Sequence, residues 1–322
     1  MNLKEFDIWG YLSKLTFIRR LLIWTKKTSF YGFEGIPVYD ITRFVIKESQ
    51  QDDINTRANS MAFSFFLALF PAIIFFFTLL PLFPVTADYM ATIQSSIESL
   101  LPTEASTYIN QIISDVVSIP RGGLFTLGFV LALFFTSNGV AAMMKGFEKS
   151  YTETFKKRSY LNRQWTAVKL TFLLGFFLLI SLTTVVLGKV ILDYVFDLFN
   201  IDAASRILLN IGRWILVLIT SHALISSLYR YGAPTIKRFN YFSPGATAAT
   251  IFTVILSLAF AAFVNNFGAY NKIYGTIGGL IIVLVWIQFN CMILLIGYEI
   301  NASIAVNKDF SKFRNSKGEI KN

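Results

Sequence analysis

The chain is short of the residues from which metal and redox sites are built. It holds one cysteine, one histidine and only 19 acidic side chains in 322 residues. A lone Cys291 cannot close an intrachain disulfide, and one His with one Cys cannot make the three- or four-ligand set of a zinc site. No metal and no cofactor is therefore expected. Asp52 and Asp53 form the only adjacent acidic pair. Hydrolysis of a phosphodiester needs a metal cluster or an acid–base pair placed for the reaction. An isolated acidic pair in a polar stretch reads instead as a solvated or helix-capping feature. No catalytic residue is assigned and the chain is not expected to be an enzyme. No ATP-binding loop is present. The N-terminus mixes charges among its apolar residues, so no cleavable signal peptide is expected.

Charge of either sign is scarce as well: 15% of residues are charged, against about 25% in soluble domains. What fills the chain is apolar, at 54% of residues with 33 Phe and a mean hydropathy of +0.56. Crossing a hydrocarbon core takes ~20 apolar residues. Stretches at about 58–83, 124–144, 167–196, 207–229, 244–266 and 276–298 meet that length. The fold class is an all-α integral membrane protein with six transmembrane helices and amphipathic surface helices. The domains read as an N-terminal amphipathic region 1–57, a membrane domain 58–306 and a basic tail 307–322. In the first region Leu15, Ile18, Leu21 and Leu22 recur at helical spacing beside Arg19, Arg20, Lys26 and Lys27. Such a helix suits an anionic membrane surface and equally the ends of a helix bundle. Gly35-Ile36-Pro37 breaks the pattern before a second short helix from Val38 to about Glu48. Residues 84–123 are too polar to span. They carry an apolar face of Ile109, Ile112, Ile113, Val116 and Val117, read as outer surface helices.

Loop charges alternate. The loop after the second stretch has seven basic residues, Lys149 and Arg163 among them, against Glu148 and Glu153, and the loop after the fourth has Arg230, Lys237 and Arg238 with no acid. The loops after the first and third stretches are acidic on balance. Lys and Arg gather on the cytoplasmic side of membrane proteins, so both termini are expected in the cytoplasm. The net charge of +10 then reflects topology, and nucleic acid is not an expected partner.

The last stretch is the least like a plain anchor. Gln288 and Asn290 interrupt its middle, Gly275 and Gly279 stand near its start, and Trp286, Glu299 and Asn301 follow. At ~100° per residue, Gln288 and Glu299 share one face, and Asn290, Gly297 and Asn301 the opposite one. Polar groups on two faces require protein or water on both. Asn138, Gln288 and Asn290 are read as interhelical hydrogen-bond donors and acceptors. Glu299 is read as pairing with Arg230, Lys237 or Arg238. Ser243-Pro244 has the chemistry of a helix start, and Pro71 within the first stretch is read as a static kink rather than a hinge. Arg213 is a charge inside a span, which marks a functional site by default; the competing reading is a side chain snorkelling to the headgroups. His222 shares a face with Ser226 and Tyr229, and is read as a packing residue before a proton carrier.

Residues 228–246, LYRYGAPTIKRFNYFSPGA, then Tyr274-Gly275, Trp286 and the ending GYEINA at 297–302 together resemble the YihY/BrkB family of bacterial inner-membrane proteins. The opening AFSFFLALFP at 62–71 resembles that family's first span, with Phe63 where Tyr is usual. The resemblance covers about residues 58–305 and implies six spans. It carries over no catalytic residues; some members bear a ribonuclease label and others a virulence label. The resemblance and Arg213 together imply a transporter- or flippase-like protein for an anionic envelope lipid or lipid-linked precursor. Its substrate-path candidates are Arg213, Asn138, His222, Gln288 and Asn290. The competing class is a non-transporting scaffold that docks an envelope protein, and a homo-oligomer fits either reading.

Overall fold

A computed structural model describes residues 16–79, 122–182 and 203–316, apart from 31, 52, 53, 150, 152 and 267, together with 94, 106, 107, 110, 111 and 184. The expected outer helices of 84–123, the pair Asp52–Asp53 and the extension of the third stretch to Phe196 lie largely or wholly outside the described residues.

Among the described residues eight α-helices follow one another: α1 Thr16–Lys27, α2 Val38–Gln51, α3 Ile54–Leu79, α4 Gly122–Gly146, α5 Tyr160–Leu182, α6 Ala203–Ser227, α7 Pro244–Asn266 and α8 Gly268–Ser316. Six of the described helices, α3 to α8, are long and apolar enough to cross a membrane. The chain is a helical membrane protein with six such spans. The turn between α1 and α2 runs through left-handed backbone at Gly32 (φ 89°), Glu34 (φ 52°) and Gly35 (φ 83°). Glycine takes that conformation without a Cβ penalty. A Cβ on Gly32 would also stand 2.9 Å from Pro244 Cγ, so this turn packs on the start of α7.

Pro71 is buried inside α3. The sequence sets 307–322 apart as a tail, yet α8 continues to Ser316 over 49 residues. At ~1.5 Å per residue that is about 74 Å of helix, against a hydrocarbon core of ~30 Å. Several turns of α8 therefore project beyond any bilayer, and α2 packs on α8.

Neighbouring helices close a ring: α3 on α4, α4 on α5, α5 on α6, α6 on α7, α7 on α8 and α8 back on α3. The packing is uneven along its axis. Large buried side chains gather at the end that carries the basic loops, where Phe147, Tyr229, Tyr298, Met61, Met143, Met144 and Leu295 are almost fully enclosed. Phe147 stacks on Tyr298 with ring centroids 4.2 Å apart, and Tyr229 meets Phe147 edge-on at 5.8 Å. Away from that end, α5 has no buried described residue after Thr171, α6 none before Thr220 and α7 none after Thr250. One end of the ring is a packed plug, and beyond it these three helices are at most half-buried.

Candidate functional site

The plug is built on Lys149, in the loop between α4 and α5. Its Nζ lies 2.7 Å from Glu299 Oε1 of α8 and 3.0 Å from Glu48 Oε2 of α2, and all three side chains are at least nine-tenths buried. The Tyr151 hydroxyl donates to Glu48 Oε1 at 3.1 Å. Buried charges persist only when paired and hydrogen-bonded, so the knot ties α2, α8 and the α4–α5 loop into one unit. Glu299 was expected to meet a cation of the α6–α7 loop; its ion pair is with Lys149 instead. The physical reason is that the α6–α7 cations are engaged or turned outward. Arg230 Nη1 donates to the Phe239 carbonyl at 2.7 Å, and Lys237 and Arg238 are exposed.

Around this knot the loops are stitched by backbone. Lys156 N–H donates to the Pro234 carbonyl at 2.7 Å, and Ile236 N–H to the Thr154 carbonyl at 3.0 Å. Arg158 Nη1 donates to the Gly232 carbonyl at 3.1 Å, closing the π-helical turn Leu228–Gly232 that ends α6. Burial pushes the Arg158 pKa below its ordinary value, and nearby Glu148 partly offsets this. The carbonyl of Gly146, at the last turn of α4, accepts from Arg57 Nη1 at 3.0 Å, and the Tyr298 hydroxyl donates to the Phe147 carbonyl. Cationic and hydroxyl donors thus meet orphan carbonyls at helix ends.

A second seam joins α7 to α8. A Cβ on Gly245 would lie 2.0 Å from the Gly297 carbonyl oxygen, and a Cβ on Gly297 would lie 2.8 Å from the Gly245 carbonyl oxygen. Two helices can approach this closely only where both lack side chains. Asn301 completes the seam: its Oδ1 accepts from Gly245 N–H at 2.8 Å and its Nδ2 donates to Ser243 Oγ at 2.9 Å. An α8 side chain therefore caps the first turn of α7, a task usually done by the N-cap residue itself. Ser243 precedes Pro244, the first residue of α7, and its carbonyl accepts from Thr247 N–H at 3.0 Å.

His222 sits in a third knot. Its Nδ1 is 3.2 Å from Thr250 Oγ1 of α7 and its Nε2 3.2 Å from the Tyr241 carbonyl, while Ser226 Oγ donates to the same carbonyl at 2.6 Å. The ring stacks on Phe242 at 5.3 Å. His222 is placed against the loop before α7. Ser226 Oγ, 3.2 Å from Nε2, is committed to a backbone acceptor and is 1% exposed.

Among the described residues, no hydrogen bond, ion pair or ring contact joins the substrate-path candidates Arg213, Asn138, His222, Gln288 and Asn290 to one another. Arg213 is half-buried on α6, its guanidinium carbon 5.5 Å from the centre of the exposed Trp214 ring. Asn138 and Gln288 are half-buried. Asn290 was expected to bond another helix, but its Nδ2 donates to the Trp286 carbonyl of its own helix at 2.8 Å, the local bond a short amide makes one turn back. Trp286 stands 5.9 Å from Phe260 of α7. Among the described residues no atom lies within 4 Å of an added Cβ on Gly279, so no close helix approach is seen there; Gly275 lies within α8, and its surroundings lie outside the described residues. Lys149, Glu48, Gly245 and Gly297 are the residues that sequence reasoning missed as contacts. A buried acid at Glu299 signals the need for a cation, without saying which of the basic residues supplies it. Among the described residues no three His, Cys, Asp or Glu side chains gather as metal ligands, so no metal-holding set is assigned.

A family model described as Virulence factor BrkB matches residues 45–319. A ribonuclease-like protein, YfkH, of Bacillus subtilis is 28% identical over 270 residues, covering 83% of this chain and 94% of its own length. A UPF0761 membrane protein of Psychromonas ingrahamii is 23% identical over 278 residues (83% of this chain, 88% of its own). Another from Alteromonas mediterranea is 25% identical over 308 residues (91% and 96%). No solved structure matches the chain. The family match takes in all six spans, the Lys149 knot and the Gly245–Gly297 seam, and the chain belongs to the BrkB family of multi-pass membrane proteins.

Proposed function

We propose that this protein moves an anionic envelope lipid, or a lipid-linked precursor, between the leaflets of the bacterial cytoplasmic membrane. The observation that carries the reading is the uneven ring. The end bearing the basic loops is a packed plug, α5, α6 and α7 are at most half-buried beyond it, and Arg213 stands half-buried in that looser part of α6. An intramembrane guanidinium beside an exposed Trp214 gives an anionic headgroup a polar partner reachable from the lipid side. The positive-inside rule orients the plug, the basic loops and both terminal segments toward the cytoplasm, with the looser half facing the opposite leaflet. Transfer is passive or driven by a partner, since no nucleotide-binding loop is present in the sequence.

The test is leaflet exchange of a fluorescent phosphatidylglycerol in proteoliposomes, with phosphatidylcholine as the zwitterionic control. Wild-type protein accelerates exchange of the anionic lipid over protein-free vesicles. Arg213→Ala slows it about tenfold, the effect of losing ~1.4 kcal/mol of headgroup pairing, and Arg213→Lys retains part of the rate. Exchange no faster than in empty vesicles overturns the function; equal rates in wild type and Arg213→Ala remove Arg213 from it.

A further inference from the structure

We propose that the α6–α7 loop is a binding site for a phosphate-bearing lipid headgroup, held by Arg230, Lys237, Arg238, Tyr231 and Tyr241. The loop carries three cations and no acid between Leu228 and Ala246. No ion pair among the described residues involves any of the three, in contrast to Lys149, Arg163 and Lys308, which each meet a carboxylate. Asp309, brought near through its bond to Thr154, pairs with none of them. Two of the three are held over rings, and Arg230 Nη1 also donates to the Phe239 carbonyl at 2.7 Å. Arg230 lies 4.7 Å from the centre of Tyr241, and Arg238 5.3 Å from that of Tyr231. The two tyrosine hydroxyls are 2.9 Å apart. Two guanidinium groups thus stack on a pair of tyrosines whose hydroxyls meet, one donating to the other and leaving one O–H free; forked N–H donors and an O–H donor are what a phosphate's oxygens accept.

Two further observations point to a ligand rather than a solvated loop. Arg230 Nε is buried and has no hydrogen-bond partner, and buried donors are otherwise satisfied as a rule. Phe242 is 85% exposed although one ring face stacks on His222. It stands between the cations and the first turn of α7, the boundary between headgroup and acyl region if α6 and α7 span the membrane. An exposed aromatic beside cations at that depth suits insertion under a headgroup. The role in lipid transfer rests on the function proposed above; binding by itself does not.

The test uses the full chain in uncharged detergent, with dihexanoyl phosphatidic acid, inorganic phosphate and uncharged dihexanoylglycerol as probes, read by calorimetry. Lys237 and Arg238 are exposed, so Lys237→Gln/Arg238→Gln leaves the plug intact. Each basic residue near an anionic headgroup contributes about fivefold in affinity, so the double variant binds the phosphatidic acid about 25-fold more weakly, and added salt weakens wild-type binding. Competition by inorganic phosphate identifies the phosphate group alone as sufficient. Binding of the lipid only, weakened by Phe242→Ala, identifies a membrane lipid as the source. Equal affinity in the double variant, or equal binding of the uncharged probe, overturns the site. If leaflet exchange fails while the double variant still loses binding, the transfer reading falls and the headgroup site stands.

Discussion

Replacing Lys149 by Met tests whether the plug is held by charge. The ammonium stands 2.7 Å from one carboxylate and 3.0 Å from another, with 2% of its side chain exposed. Met matches the length of the stem and removes the ammonium with its charge and its N–H donors, leaving Glu48 and Glu299 buried without their cation. Breaking a buried ion pair by deleting one partner costs ~3–5 kcal/mol, because the surviving charge has lost its compensation. With two acids on one cation, Lys149→Met should fall at the upper part of that range. The same argument predicts rescue. Adding Glu48→Gln and Glu299→Gln removes the uncompensated charges while keeping volume and hydrogen-bonding capacity, so the triple variant should recover most of the loss. The measurement is denaturant unfolding of the four purified proteins (wild type, Lys149→Met, Glu48→Gln/Glu299→Gln and the triple variant) in one detergent, read as a mutant cycle. A Lys149→Met protein within about 0.5 kcal/mol of wild type, the usual range for surface changes, would refute the reasoning. So would a triple variant no more stable than the single one.

Two other expectations follow from the helices. Gly245→Ala places a methyl group 2.0 Å from a backbone oxygen, which no rotamer can relieve, and should cost ~3 kcal/mol or more as overpacking. Gly279→Ala meets nothing within 4 Å and should be neutral or stabilising by up to ~1 kcal/mol from helix propensity; thermal unfolding of the two variants in parallel decides it. In a Cys291→Ser background, cysteines placed at Asn162 and Lys237 should both react with a membrane-impermeant maleimide only after the cytoplasmic face is opened. Labelling of either from outside intact cells would invert the proposed orientation.

Much of the architecture was readable because a bilayer makes simple demands. Each spanning stretch must be ~20 residues and internally hydrogen-bonded, so length and apolarity alone located α3 to α8. The turn before α2 and the start of α7 were readable from Gly35-Ile36-Pro37 and Ser243-Pro244, whose local chemistry does not depend on distant residues. The plug was not readable in the same way. From the sequence, Glu299 is read as pairing with Arg230, Lys237 or Arg238 of the α6–α7 loop. The loop's own tyrosines and backbone carbonyls hold Arg230 and Arg238 instead, and Lys149 reaches Glu299.

The glycines divide in the same sense. Gly275 and Gly279 stand four apart, the spacing of a helix-packing motif, yet an added Cβ on Gly279 would meet no described atom within 4 Å, and the tight contact falls at Gly245 and Gly297. Spacing along one helix says which residues share a face, not which face meets a neighbour. The sequence by itself determined that this chain is a six-span helical membrane protein and roughly where its spans fall, because those depend on residues close together and on the solvent. Only the tertiary structure decided that the ring is packed at one end, that Asn301 caps another helix, and that one lysine holds two carboxylates. Those depend on which distant side chains arrive at the same place, and many pairings satisfy the same composition.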